Sequence, residues 1–371
     1  MTKTIDNEQK TLNVPNLRFP EFEGEWEKTR LKEISKFSKE RLNSIELSCS
    51  NYVTTENMLQ DYKGIVSATN LPTNTNVVKF SKGDVLLSNI RPYLKKVWYA
   101  DKNGGCSADV FVFKALPICD SNFLHHVIAN DRFIKFVMGG AKGVKMPRGD
   151  KEQMITYKVG LPCIEEQKKI ANLLSLLDER ISTQNKIIDK LQSLIKGIAQ
   201  NIVRYNKANV RLSDCLSCSS STLQESDVSE HGTYPVYGAN GVVGYLDNYN
   251  TENEAIYIIK DGSGVGSTSY VTGKCSATGT LNILRAKEGY SLQYLYYMLK
   301  VFNFEPYKTG MAMPHIYFKD YGKAKVFCPT YKEQLQYARL LSAIDKRLTV
   351  EHGLLTSLSL QKQYLLRQMF I

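Results

Sequence analysis

The chain contains no run of 18 apolar residues, which excludes a transmembrane helix. Its opening, MTKTIDNEQKTLN, is polar and has no apolar core, so no secretory leader is expected. Eight cysteines are scattered without a disulfide framework, which points to a reducing cytoplasm. Cys215 and Cys218 form a CxxC, but no second close pair accompanies them, so they read as two small residues at a domain start. The five histidines lack metal spacing: His125 and His126 are adjacent, while His231, His315 and His352 stand alone. There is no P-loop, because Gly273-Lys274-Cys275 lacks both the upstream glycine and the following Ser or Thr. Asp261-Gly262-Ser263-Gly264-Val265-Gly266 has the wrong spacing for a dinucleotide fingerprint. It reads as a hairpin turn, or else as a loop whose exposed backbone approaches a phosphate. No Asn-Pro-Pro-aromatic tetrapeptide signals an amino-methyltransferase site. Acid is also in short supply. Against 48 Lys and Arg stand 37 Asp and Glu, a net charge of +11, which implies a polyanionic partner. An anionic membrane is the rival partner, but no basic amphipathic helix supports it.

What the chain does have is a long internal repeat. Met146-Pro147 recurs as Met313-Pro314, and Glu166-Gln167 recurs as Glu333-Gln334, shortly after Pro162 and Pro329. Ala171, Leu173, Leu174, Ser175, Asp178 and Arg180 recur as Ala338, Leu340, Leu341, Ser342, Asp345 and Arg347. All these pairs share one offset of 167 residues without a gap. Each copy ends in a long helical pattern, so the order is globe, helix, globe, helix. Such a chain presents two similar faces at a set separation, which suits a reader of two separated sites.

The first copy follows a stretch, residues 1 to about 14, that reads as disordered, and then Pro15-Asn16-Leu17-Arg18-Phe19-Pro20-Glu21-Phe22, which leads into Trp26. Prolines and aromatics together predict an extended segment docked on a body. Strands are predicted at 84–90, 96–99 and 109–113, and a short helix from Asn122. The second globe predicts strands at 254–259, 269–271 and 279–284 and a helix at 291–301. The globes match more loosely than the helices. Cys106-Ser107-Ala108 answers Cys275-Ser276-Ala277, so a frame is shared while the loops have diverged.

Each helical pattern covers about 40 residues, or about 60 Å at 1.5 Å per residue. In the first, Ile170, Leu174, Leu177, Ile181, Gln184, Ile188, Leu191, Ile195, Ile198 and Ile202 follow alternating steps of four and three. In the second, the seam is Tyr337, Leu341, Ile344, Leu348, Glu351, Leu355, Leu358, Lys362, Leu365 and Met369. Seams this long exceed what one globe covers, so each helix is expected to pack on more than its own globe. The polar members Gln184 and Glu351 occupy equivalent places near mid-length and suit a register-fixing layer. Glu-Gln after the proline suits a first helical turn.

Basic residues fall in predicted loops. Arg91, Tyr93, Lys95 and Lys96 sit on the connection between two strands, and Lys142, Lys145 and Arg148 surround Met146-Pro147 just before the first long helix. In the second globe the comparable places hold Lys260, Ser263 and Ser267, then Lys308 and His315. Arg and Lys bind guanine edges or phosphates, and Ser or His can donate to base edges. Each alone is equally a solvated charge, and the matched positions favour binding.

These features resemble the specificity subunit of a Type I restriction–modification enzyme. The resemblance rests on Val14-Pro15-Asn16-Leu17-Arg18-Phe19-Pro20-Glu21-Phe22 with Glu25-Trp26, on Tyr234-Pro235-Val236-Tyr237-Gly238-Ala239-Asn240-Gly241-Val242-Val243-Gly244-Tyr245, and on the paired Pro-x-x-x-Glu-Gln helix starts. It covers nearly the whole chain. It implies an α+β chain with two target recognition domains in tandem and two long helices pairing as an antiparallel coiled coil. The expected segments are 1–160, 161–205, 206–328 and 329–371. Each globe would read one half of a bipartite site on double-stranded DNA, and the helices would set the spacer. Two methylation subunits would dock on it, and restriction subunits would complete the complex. S-adenosylmethionine, ATP and Mg would bind those partners and not this cytoplasmic, non-catalytic chain. The contrasting reading is a single-chain DNA methyltransferase or nuclease with fused recognition domains, which the missing motifs disfavour.

Overall fold

In the computed structural model, residues 13–310 and 313–371 are described. The reading of a disordered tail falls, up to residue 12, outside the described residues. Asn13, which that reading included, is instead buried, and its side-chain amide donates to Trp26 O at 2.5 Å. The chain forms two compact units. One gathers the residues up to Gln184 with Leu354–Ile371, and the other is Asn185–Gly353.

In the first unit, four antiparallel strands lie in the order Ser35–Phe37, Val110–Ala115, Val85–Ser88, Val97–Tyr99. Every residue of this central strand, Val85–Ser88, is buried, Val85, Leu86 and Leu87 among them as apolar residues. A second sheet orders Arg41–Asn43, Asn76–Phe80, Gly104–Cys106 and Tyr52–Val53, the last pair parallel. Glu27–Arg30 pairs with Lys158–Leu161 where the chain enters and leaves the globe.

The second unit repeats this plan. Leu216–Ser220, Leu281–Ala286, Ala255–Ile259 and Thr268–Val271 take the same order as the first sheet above. Val210–Arg211 pairs with Lys325–Val326 as the entry and exit pair. The second sheets differ. Both keep a parallel pair, Tyr52–Val53 with Gly104–Cys106 and Tyr234–Gly238 with Ser276–Ala277, around which the other strands have changed. The frame found in the loosely matching globes is thus one sheet plus its entry pair.

The long helices run Ile164–Arg204 and Tyr331–Gln368. Every member of both predicted seams is buried or half-buried. In the first unit Ile170, Ala171 and Leu174 share a core with Leu366, Met369 and Phe370. In the second, Ile195, Ala199 and Ile202 share a core with Ala338 and Leu341. The start of one helix meets the end of the other in each case, so the pairing is antiparallel. Gln184 and Glu351 are both buried, as is Lys362. The Lys362 ammonium is not left in an apolar seam, since it donates to Asp178.

The repeated Glu-Gln has a tertiary purpose that helix-start chemistry does not reveal. Gln167 is buried, its Oε1 accepts from Asp120 N at 2.8 Å, and its Nε2 donates to Ile118 O and Pro162 O at 3.1 and 2.9 Å. Asp120 caps the helix Ser121–Ile128. Gln334 does the same for Ser291, the cap of Leu292–Lys300, accepting from its N at 2.9 Å and donating to Pro329 O at 2.9 Å. Each glutamine therefore fastens a long helix to the capping residue of its globe's helix. The glutamates differ. Glu166 is buried and accepts two 2.8 Å bonds from Arg18 of the segment 13–26, whereas Glu333 caps its own helix through Thr330. Leu17 N also donates to Gln368 O at 3.0 Å, so this segment lies against both long helices within the first unit.

Candidate nucleic-acid interface

In the first unit the turn after Val85–Ser88 and the loop 142–148 meet. Ile90 pairs with Arg148, and Arg91 N donates to Pro147 O at 2.8 Å. The loop closes on itself through Lys142 N to Arg148 O and Arg148 N to Lys142 O, both 2.9 Å. It does not directly precede the long helix, as its position in sequence had implied. A short helix Lys151–Met154 and the strand Lys158–Leu161 stand between, because the exit strand must first pair with Glu27–Arg30.

The second unit builds the same platform. Asp261 pairs with His315, Gly262 N donates to Pro314 O at 2.9 Å, and Thr309 and His315 close the loop at 2.9 and 2.8 Å. Gly143 and Gly310 hold equivalent places with φ of 92° and 87°, left-handed backbone that favours glycine. A Cβ on Gly310 would lie 2.4 Å from Met313 O. The repeat therefore extends to Gly-x-x-Met-Pro, and the shared glycine is a signal in the sequence that the reading above passed over.

The two platforms differ in what they carry. Arg91 and Lys95 have φ of 51° and 53°. The equivalent places in the second unit are Gly262 and Gly266, at 96° and 91°. Arg91 and Tyr93 are exposed, as are Lys145, Val144 and Met146 on the facing loop. Lys142 is exposed and pairs with Asp150 at 2.7 Å, which raises the lysine pKa and, with backbone donors of the following helix, lowers that of Asp150. Arg148 lies 3.4 Å from Asp109. Lys95 and Lys96 turn inward: Lys95 pairs with Asp131 at 2.8 Å, and Lys96 donates to Thr55 O at 2.6 Å. In the second unit Ser263 and Ser267 are exposed, Lys260 is half-buried, and Lys308 is held by Glu305 at 2.5 Å. His315 Nδ1 lies 3.3 Å from Met313 O, with its ring 5.1 Å from Tyr317 in an edge-on contact. The 261–266 segment is a hairpin loop joining Ala255–Ile259 to Thr268–Val271.

Cys215 lies beside Cys328 rather than forming a site with Cys218; that thiol neighbour, then burial, raises its pKa. Among the described residues no group of His, Cys, Asp or Glu could hold a metal ion, and no helix is long and apolar enough to cross a membrane.

Two copies of one α+β frame, each presenting a closed pair of divergent loops, define an internally duplicated chain. The Type I restriction modification DNA specificity domain matches residues 23–193 and again 206–360, and the chain belongs to that family. It is 28% identical over 200 residues to the Type I restriction enzyme MjaVIII specificity subunit of Methanocaldococcus jannaschii, covering 53% of this chain and 45% of that one. It is 25% identical over 112 residues to the EcoprrI specificity subunit of Escherichia coli, covering 30% and 28%. The matches thus span less than half the length of these two relatives. The S subunit of a Type I restriction–modification system from M. genitalium has a similar fold, with a TM-score of 0.69 at 18% identity, over 96% of this chain and 99% of that one.

Proposed function

We propose that each unit reads one half of a bipartite site on double-stranded DNA, and that the paired helices set the spacing between the halves. The domains are those named above, 1–160 and 206–328 as readers with 161–205 and 329–371 as connecting helices. The observation that carries this reading is the repeated platform with different side chains. One frame offers Arg91, Tyr93 and Arg148, and its copy offers Ser263, Ser267 and His315 at equivalent loops. A shared frame with exchanged donors is what two readers of different half-sites require. Lys142, Lys145, Lys260 and Lys308 would neutralise phosphates, and Lys95 and Lys96 would support the loop. The chain would supply the address, while two methylation subunits holding S-adenosylmethionine, and restriction subunits using ATP and Mg, would supply the chemistry in the cytoplasm.

The test is to exchange residues 206–328 for the equivalent globe of a relative and sequence the methylome of cells carrying the complex. One half of the methylated site should change, while the other half and the spacing stay. A swap that altered both halves would end the modular reading. Methylation or cleavage by the chain freed of other subunits would end the non-catalytic one.

A further inference from the structure

Four of the five non-glycine residues with positive φ among the described residues lie in one place in the first unit. Asp61 and Tyr62, at 54° and 61°, form the tip of a turn closed by Leu59 N donating to Gly64 O at 2.8 Å. Arg91 and Lys95 belong to the loop that carries the proposed base-reading arginine. The two tips clasp through their backbones, Asp61 N to Leu94 O at 3.1 Å and Tyr62 N to Lys95 O at 3.0 Å. Left-handed backbone at residues with a Cβ persists where surrounding structure over-determines it. In the second unit the equivalent turn uses Gly262 and Gly266 and needs no such support.

The Tyr62 side chain carries the clasp further. Its hydroxyl donates to Asp131 Oδ1 at 3.1 Å, the same oxygen that pairs with Lys95. Its ring lies 6.0 Å from the Lys95 ammonium and 6.0 Å from that of Lys362 on the second long helix. Lys362 is itself fixed by Asp178 of the first long helix. An ammonium at about this distance from a ring is attracted to its negative face. A continuous set of contacts thus runs from the helix pair through Tyr62 to the turn holding Arg91.

We propose that Tyr62 and Lys362 are positioning residues that clamp the Arg91 turn in its left-handed shape and register it against the helix pair, so that sequence discrimination in the first half-site depends on both. The polar breach of the second seam at Lys362 then serves recognition as well as bridging the helix pair through Asp178. The inference rests on the reading of Arg91 as a DNA contact, and the experiment separates the two. Hydrogen exchange is measured on the full chain, and binding on its complex with the methylation subunits, using duplexes with single-base changes in either half-site. Tyr62→Leu should speed exchange of the Leu94 and Lys95 amides about tenfold and leave those of Val265 and Gly266 unchanged. It should also reduce discrimination in the first half-site about tenfold and spare the second. Tyr62→Phe keeps the ring and should stay within about twofold of the parent. Should Tyr62→Leu fail to fold, Lys362→Met removes the ammonium together with its bond to Asp178 and should move both readouts roughly threefold in the same directions. Unchanged exchange in these variants overturns the clamp. Faster exchange with unaltered discrimination overturns the positioning role. Arg91→Ala with normal exchange and normal discrimination shows instead that the DNA reading of Arg91 is at fault.

Discussion

Arg91 occupies backbone that the second unit gives to Gly262, and the difference makes a test available at a single atom's scale. A non-glycine residue in this region costs about 1–2 kcal/mol, and glycine gives back some of that gain by loosening the unfolded chain. Arg91→Gly should therefore leave thermal stability unchanged or slightly higher. If the guanidinium reads a base, the same change should cost about 1–3 kcal/mol of discrimination at one position of the first half-site. Lys145→Ala should instead weaken all sequences alike and reduce the salt slope of binding by about one unit. Melting curves and salt-dependent titrations of the assembled complex read both, and equal effects on all sequences from Arg91→Gly would refute the assignment. His126 supports a different expectation. It is fully buried, and burial, with His125 and Lys362 nearby, holds its pKa well below the usual value of 6.5. The folded state keeps it neutral while the unfolded chain takes up a proton below about pH 6.5. Stability should thus fall by up to about 1.4 kcal/mol per pH unit below that point from this residue. Urea unfolding between pH 7.5 and 5.5 should show a shallower fall for His126→Gln, and identical slopes would contradict the neutral, buried histidine.

Among the elements, the helix starts are where sequence and tertiary roles combine. Pro162 and Pro329 announce the starts, and the Glu-Gln pairs look like ordinary first-turn residues. Gln167 nevertheless bonds three backbone groups and Gln334 two, all across loop boundaries. Gln167→Ala would strand Asp120 N, Ile118 O and Pro162 O, at a cost of about 1–3 kcal/mol for a buried polar group left without its partner. Gln334→Ala should cost less than Gln167→Ala. Chemical denaturation of the two variants measures this order, and a neutral Gln167→Ala would show that the staple contributes nothing. The seam is the second element-scale test. Ile188 is 4% exposed, so Ile188→Asp would bury a charge within the helix pair. It should lower stability sharply and abolish capture of the methylation subunits. Intact folding and assembly in that variant would remove Ile188 from the seam.

On the scale of the whole molecule, the two helices make up the second and fourth segments of the chain, and each compact unit contains half of each. Under the proposed function, half-site spacing follows helix length. Inserting four residues, about one turn, near Asn185 should lengthen the methylated site's spacer and leave both halves intact. Methylome sequencing checks it, and unchanged spacing would uncouple helix length from the target.

The amino-acid sequence by itself determined whatever depends on neighbours along the chain. The steps of four and three from Ile170 to Ile202 fix a helical face because a helix brings such positions to one side. The 167-residue offset fixes duplication. Gly, Pro and Asn turns set off strand-like stretches such as 84–90. The pairing of loop 142–148 with the turn at Arg91 was decided only when the exit strand found Glu27–Arg30 and carried the loop across. The roles of Gln167, Tyr62 and Lys362 were decided there too. Their partners stand 47, 69 and 184 residues away, and no periodicity records contacts made at that distance. A left-handed arginine looks like any loop residue until the turn that supports it, built around Tyr62, is brought alongside.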